Sequence, residues 1–240
     1  MPIVVMTYNL NFANPSFAAT LDAIEAANAD LVLLQEVSDA WRDALRARFA
    51  TRYAHTAFHL HARAAGGLAV LSKLAIAHDE VWPAPAGTGA WFPAERLVVT
   101  AAWGPVQALH VHLRPAREGD SWIRGFMTTP AVRRAEIAAH WARMDRALPT
   151  LVAGDFNEDP TGLAVDFLAG HGLARVETAG PPTWHYEVSD RGKTFDLLKM
   201  DIDHVMIDGR LAASDARVLA AGTSDHRPVV VAIGEAGRAP

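Results

Sequence analysis

Short uninterrupted apolar runs alternate with stretches of helical spacing through the N-terminal part of the chain. Ile3 to Tyr8 is a β-rich run that ends at Asn9. Asn14-Pro15 then reads as an N-cap followed by a first-turn proline. Phe17, Leu21 and Ile24 follow at helical spacing, which predicts a helix over about residues 15–28. Asp30 precedes Leu31-Val32-Leu33-Leu34, a buried strand that stops at Gln35-Glu36. Ser38 caps a second predicted helix, with Trp41, Leu45 and Phe49 on one face. Strand, helix, strand, helix in succession points to a layered α/β architecture.

After Gly66-Gly67 the pattern turns to strands: Leu68 to Leu71, Ile76 to Val81, Leu97 to Trp103 and Val106 to Leu113. A helix is predicted over about Val132–Leu148, with Ile137, Trp141, Met144 and Leu148 on one stripe. Thr150 to Gly154 is a further buried strand. A helix near Leu163–Leu168 and strands near Ile202–Ile207 and Pro228–Ile233 follow, and Gly234–Pro240 reads as a frayed tail. Two segments read as long loops, Trp82–Pro93 and Arg114–Pro130, the second carrying Trp122, Phe126 and Met127. Such loops serve as functional lids, or their aromatics simply pack over sheet edges.

Polar residues recur where apolar strands end: Asn9, Glu36, His112, Asp155, Asn157, Asp203, Asp225 and His226. At alternating positions Asp155 and Asn157 would point the same way, into a cleft. A carboxylate beside a neutral amide suits phosphoryl chemistry, one orienting or deprotonating a water, the other donating to a phosphate oxygen. Taken singly, each residue also has a structural reading, as a turn former, a solvent-facing strand end or a satisfied histidine.

Composition narrows the classes. The 240 residues can bury one large core, and no linker divides residues 1–240, so a single domain is expected. A net charge of −5 argues against a sequence-blind grip on nucleic acid, and the absence of cysteine excludes disulfides and thiol chemistry. The N-terminus lacks signal-peptide features and no apolar run has membrane-spanning length, so a cytoplasmic protein is expected.

The strand-end residues fall in motifs: Thr7-Tyr8-Asn9, Leu34-Gln35-Glu36-Val37, His110-Val111-His112-Leu113, Gly154-Asp155-Phe156-Asn157, Ile202-Asp203-His204 and Ser224-Asp225-His226-Arg227-Pro228. In this order the chain resembles the endonuclease/exonuclease/phosphatase superfamily. The resemblance implies a DNase I-like fold, an α/β sandwich of two packed mixed sheets flanked by helices in four layers. It implies a metal-dependent phosphoester hydrolase, foremost a phosphodiesterase or nuclease using in-line attack by an activated water. A phospholipase C- or sphingomyelinase-like enzyme, a small-molecule phosphodiesterase and a phosphomonoesterase are alternatives. A non-enzymatic scaffold would be expected to have lost part of the set, and none is missing.

On this resemblance Glu36 binds Mg2+ or Mn2+, with Asp225 and Asn9 completing or supporting the site, since these are hard oxygen ligands. Asp155 positions and deprotonates the water, and Asn157 and His112 hold phosphate oxygens. His226 stabilises transition-state charge, with Asp203 fixing its tautomer. Which of Asp155 and His226 takes the proton stays open. A phosphodiester is the expected partner of a monomeric protein.

Three departures stand out. His110 replaces the asparagine of the family's usual Asn-Thr-His-Leu. Asp201 replaces a basic residue, and either recruits a second metal or faces away. His204 replaces an aromatic and is expected on the opposite side of its strand from Asp203. Arg114, with Arg133 and Glu136, echoes a bacterial subgroup, so Arg114 and Trp122 are candidate substrate-binding residues. Arg114 could clamp a phosphate, or pair with Glu118 or Asp120. Arg42, Arg46, Arg48, Arg52 and Arg63 form either a nucleic-acid track or a solvated face. His55, His59 and His61 suggest a metal site, but their segment carries no carboxylate and reads better as a solvated edge.

Overall fold

Alternation within the apolar runs sends their side chains to two faces, and both faces are covered. A computed structural model describes residues 1–14, 16–119, 121–190 and 193–237, less the side chains of residues 122–123, 187–190 and 193–196. In chain order the elements are β1 (Ile3–Asn9), α1 (Phe17–Ala27), β2 (Leu31–Gln35), α2 (Asp39–Phe49), β3 (His55–His59), β4 (Leu68–Ser72), β5 (Ile76–Trp82), β6 (Ala94–Ala101) and β7 (Gly104–His112). They continue with α3 (Trp122–Trp141), β8 (Thr150–Asp155), α4 (Leu163–Gly170), β9 (Leu173–Arg175), β10 (Trp184–Asp190), β11 (Lys193–Met200), β12 (Asp203–Asp208), β13 (Leu211–Val218) and β14 (Val229–Glu235).

Two six-stranded sheets result, ordered β13-β14-β1-β2-β4-β3 and β5-β6-β7-β8-β12-β9, with β10-β11 as a separate hairpin. Each large sheet is mixed, with one parallel pair near its middle, β1 with β2 and β7 with β8. Between the sheets lie Val5, Leu31, Leu33, Leu97, Val99, Ala108, Leu151, Ala153, Val205 and Val231. The alternate residues face outward: Met6, Tyr8, Val32 and Leu34 pack with Leu21, Ile24, Trp41 and Phe49 of α1 and α2. On the other side Leu109, Val111, Val152 and Met206 pack with Ile137, Trp141, Val165 and Leu168 of α3 and α4. Burial on both faces explains the continuous apolar runs. Fully burying a Val, Leu, Ile, Phe or Met side chain contributes about 1.5–3 kcal/mol. The four layers are those of the DNase I-like sandwich.

Several boundaries differ from expectation. Ser16, not Asn14, is the N-cap of α1. Asn14 is buried instead, donating to Leu10 O and Thr20 Oγ1 while accepting from Ser16 N; Pro15 lies outside the described residues. Helix α3 begins inside the segment read as a loop and ends at Trp141 rather than Leu148. Gly125 and Pro130 signal a break in sequence, yet both lie within the helix. A Cβ at Gly125 would stand 2.3 Å from the Ala116 backbone, so glycine lets the helix lie against that turn. Thr128 and Thr129 bond back to the carbonyls of Arg124 and Gly125. Past Trp141, Gln107 clamps both backbone groups of Asp145 and turns the chain towards β8.

Strands β9, β10, β11 and β13 were not expected; in β13 the exposed residues Ala212–Asp215 interrupt the apolar pattern between buried Leu211 and Val218. Gly234 and Glu235, read as tail, belong to β14 and pair with Ala212 and Leu211; residues 238–240 lie outside the described residues. Among the described residues no helix is long and apolar enough to cross a membrane.

Candidate active site at one end of the sandwich

At one end the inner layer between the sheets turns polar. The register places His112 of β7 and Asp203 of β12 directly beside Asp155, the last residue of β8. The row continues the inner face of Leu151 and Ala153. In the opposite sheet Asn9 and Gln35 are register partners on β1 and β2. Gly154 permits the close approach of β7 and β8 here. Its φ is +148° and a Cβ would lie 1.9 Å from Val111 O.

Asp155 is the hub. Its Oδ2 accepts from Asn9 Nδ2 at 3.0 Å, and its Oδ1 from Asn157 N at 2.8 Å. His112 Nε2 and His226 Nε2 stand 3.4 and 3.7 Å from Oδ2. Burial pushes the Asp155 carboxyl up to about 7, opposed by the His226 charge and reinforced by Asp203. His226 Nδ1 is 2.8 Å from Asp203 Oδ2. Burial alone would lower His226, but the carboxylates of Asp203 and Asp155 lift it to about 10. The facing carboxylates thus favour the imidazolium form of His226, while burial favours the protonated form of Asp155.

His112 differs. Its Nδ1 lies 2.9 Å from Ala65 O, an acceptor only, so the proton sits on Nδ1. Burial and the His226 charge lower its pKa to about 3, which leaves Nε2 bare in the cleft. Phe92 stacks on its ring at 4.5 Å and holds its orientation.

Asn157 does not continue the strand alternation. Its φ is +52°, and an Asx turn on Asp155 redirects it. One amide hydrogen goes to Leu113 O at 3.0 Å, and the other is left for the cleft. Glu36 also has a left-handed φ, +59°, which swings its carboxylate inward instead of along the strand. Its Oε1 accepts from Asn9 Nδ2 at 3.2 Å and its Oε2 from Phe12 N at 3.0 Å. Burial raises its pKa.

Glu36 Oε1, Asp155 Oδ2 and the bare His112 Nε2 thus converge, with the single amide of Asn9 between them. Acceptors outnumber donors, and two are hard carboxylate oxygens, so the residues fit a divalent cation. Asn9 turns its Nδ2 to this set and its Oδ1 to Asn11 N. Asp225 lines the same cleft but is held by Asn11 Nδ2 at 2.9 Å and Trp184 Nε1 at 3.1 Å. Asp155, Asp203 and His226 also approach closely enough to share an ion, but His226 Nδ1 is already taken by Asp203.

Arg114 does not line the cleft. It is buried, its guanidinium lies 3.2 Å from the Trp91 ring centroid, and it pairs with Glu118 Oε2 at 3.3 Å. Its contacts Trp91 and Pro115 do line it. Arg133 is bonded to Glu158, Thr129 and the Arg114 carbonyl, and Glu136 accepts from Arg114 N. These residues brace the loop after β7. The Trp122 side chain lies outside the described residues. Asp201 accepts from Thr183 N, and His204 turns away to Glu158 O. The arginines of α2 pair largely with acids: Arg42 with Asp39 and Asp43, Arg48 with Asp22 and Glu25.

The cleft has a volume of about 400 Å³, and its mouth carries Phe12, Trp91, Phe126, Trp184 and Tyr186 beside Arg63 and Arg117. Asn11, Thr183 and Trp184 escaped sequence reasoning, and Ser224 was read only as part of its motif, with no role. Thr183 Oγ1 accepts from Asp203 N, and Ser224 Oγ donates to Asn9 O and accepts from His226 N. Only the Asn9-x-Asn11 and Ser224-x-His226 spacings hinted at such local turns.

A family model described as the Endonuclease/Exonuclease/phosphatase family matches residues 6–226. Among solved structures, an endonuclease/exonuclease/phosphatase from Beutenbergia cavernae DSM 12333 has a TM-score of 0.74 at 21% identity, covering 98% of this chain and 72% of that one. The human nocturnin catalytic domain with bound sulfate gives 0.72 at 18%, covering 98% and 93%. Sphingomyelinase C from Streptomyces griseocarneus gives 0.66 at 19%, covering 97% and 99%. No curated protein sequence matches.

Proposed function

The chain belongs to the endonuclease/exonuclease/phosphatase family, and from that premise we propose that it is a divalent-metal-dependent phosphodiester hydrolase. Membership by itself supports a hydrolase of phosphoester-type substrates. The observation that carries the finer reading is the buried Asp155, joined through Asn9 to Glu36 on one side and facing the His226–Asp203 pair on the other.

In this reading Asp155 accepts the proton of the attacking water, since its raised pKa keeps it basic enough to do so near neutrality. His226 stays protonated, and its Nε2–H donates to phosphoryl oxygens as charge develops there. Asp203 holds the other ring nitrogen and preserves that charge. Asn157 offers its remaining amide hydrogen to a phosphate oxygen. We assign His112 a different task from holding such an oxygen: with Nε2 bare, it accepts a hydrogen bond and orients the water. Glu36 would hold Mg2+ or Mn2+ with the Asp155 side of the cleft, and Asp225 would complete or support that set. When bound, the cation neutralises charge on the phosphate.

The mouth bears on the substrate. Phe12, Phe126, Tyr186, Leu197 and Leu198 are exposed around it or on its hairpin, and Met127 beside Phe126 is 81% exposed. The arginines of α2, Arg46 aside, are matched by acids. Arg46 lies over Phe58. A diester with an apolar or ring-bearing group, lipid included, therefore suits this rim better than duplex nucleic acid does. Bis(4-nitrophenyl) phosphate, phosphatidylcholine vesicles and supercoiled plasmid, each with Mg2+ or Mn2+, form the test. Cleavage of either of the first two in preference to plasmid is expected. Efficient plasmid nicking alone would overturn the substrate reading, and no cleavage of any would overturn the activity.

A further inference from the structure

The polar end of the inner layer extends past the cleft to the edge of the sandwich. The Gln35 amide stands 2.7 Å from His110 Nε2. His110 Nδ1 lies 2.9 Å from Glu95 Oε2, which only accepts, so that nitrogen carries a proton and donates. Glu95 is fully buried, and its other oxygen receives no hydrogen bond of acceptable geometry. Oε1 points at His59 Nε2, 3.2 Å away, and both oxygens of Asp79 lie 3.1 Å from the same nitrogen. One N–H cannot serve three oxygens. The carboxylates that the segment of His59 lacks in sequence arrive from the opposite sheet.

We propose that His59, Asp79 and Glu95 form a second metal site, for a zinc-class ion that replaces the proton on His59 Nε2 and ties the two sheets together. The ligands come from the edge strand β3 of one sheet and from β5 and β6 of the other. An imidazole with two carboxylates, leaving the fourth position to water, is a zinc-type donor set. A tetrahedral ion with bonds of about 2.0–2.1 Å holds its ligand atoms about 3.3–3.4 Å apart. His59 Nε2 stands 3.1 and 3.2 Å from its two partners, and the ligand atoms of all three residues lie within 4.8 Å of one another. His110 and Gln35 form the outer shell that fixes Glu95, as metal-bound carboxylates require. His59 and Asp79 side chains are 29% and 26% exposed, which gives the ion an entrance and a water.

The charges balance: two carboxylates and a neutral imidazole cancel a dication, and one proton leaves for each ion bound. Magnesium, which demands an octahedron of oxygens, fits poorly here. The two sites would thus take ions of different class.

The test is zinc binding to chelator-stripped full-length protein in excess Mg2+, read by equilibrium dialysis with metal analysis and by thermal melting. Wild type is expected to retain one zinc and melt higher with it. Asp79→Asn, at an exposed edge, should weaken zinc by about 100-fold or more, beyond the loss for an outer-shell partner. His59→Ala should abolish binding, and Asp155→Asn, in the cleft, should retain it. Zinc binding absent from wild type, unaffected by Asp79→Asn, or lost in Asp155→Asn would overturn the proposal. None of these readouts depends on hydrolysis, so the function proposed for the cleft can fail or stand separately.

Discussion

Asn9 Nδ2 sits 3.0 Å from Asp155 Oδ2, and the same amide reaches Glu36, so one residue of the first sheet couples a carboxylate of each sheet. The cleft exists because the sandwich brings these two strand ends together. In the proposed function, the carboxylate assigned to the cation and the one assigned to the water are thus joined through a single side chain.

Asp203→Asn removes the carboxylate that sustains the His226 charge. If Asp155 must be ionised and His226 protonated, kcat/KM rises with pH at or below about 7 and falls as His226 deprotonates near 10. In Asp203→Asn the alkaline limb should move to lower pH, with a rate loss of about 10²–10³-fold, the cost of one stabilising donor. A pH–rate profile checks this. An unmoved alkaline limb would contradict the role given to Asp203.

Asp155→Asn should stabilise the metal-free protein. The folded-state carboxyl lies above its unfolded value of 3.8, so its contribution is fully present below that value and is lost as pH rises through about 7. A neutral amide escapes this loss. Melting at pH 8 in chelator should therefore be higher for the variant; a lower Tm would mean that the ionised carboxylate stabilises the fold.

Glu36→Gln removes a carboxylate of the proposed cation site whose side chain is 16% exposed. The Mg2+ or Mn2+ concentration for half-maximal hydrolysis should rise by about 100-fold, beyond the loss for an outer-shell partner. Unchanged metal dependence would remove Glu36 from the site.

Arg133 and Glu158 form a buried pair, their side chains 3% and 4% exposed. Glu158 also accepts from the first N–H groups of α4, at Ala164 and Val165. Arg133→Ala should cost about 3–5 kcal/mol in urea unfolding, the range for breaking a buried pair. A loss below about 1 kcal/mol, typical of an exposed pair, would contradict it.

The strand ends were legible because each closes an apolar run: Leu31–Leu34 leads to Glu36, and Leu151–Gly154 to Asp155. What sequence concealed is conformational. Nothing local announces that Glu36 and Asn157 adopt left-handed backbone, which sets their direction. Phe126 and Met127 read as loop residues because Gly125 and Pro130 mimic a helix break. For Arg114 the sequence offered a phosphate clamp or a pair with Glu118 or Asp120, and the Glu118 pair is present; its stacking on Trp91 was hidden because it depends on a loop over twenty residues away in sequence. His59 was discounted for want of carboxylates, which only sheet packing supplies.

The measurement closest to the central claim compares wild type with Asp155→Asn on bis(4-nitrophenyl) phosphate, with and without Mg2+ or Mn2+, at matched folding by circular dichroism. Wild type should hydrolyse the diester only with metal, and the folded variant should lose about 10²–10⁴-fold or more in kcat, the range for a general base. Hydrolysis by the variant at the wild-type rate would show that Asp155 is not the base and that the chemistry is centred elsewhere.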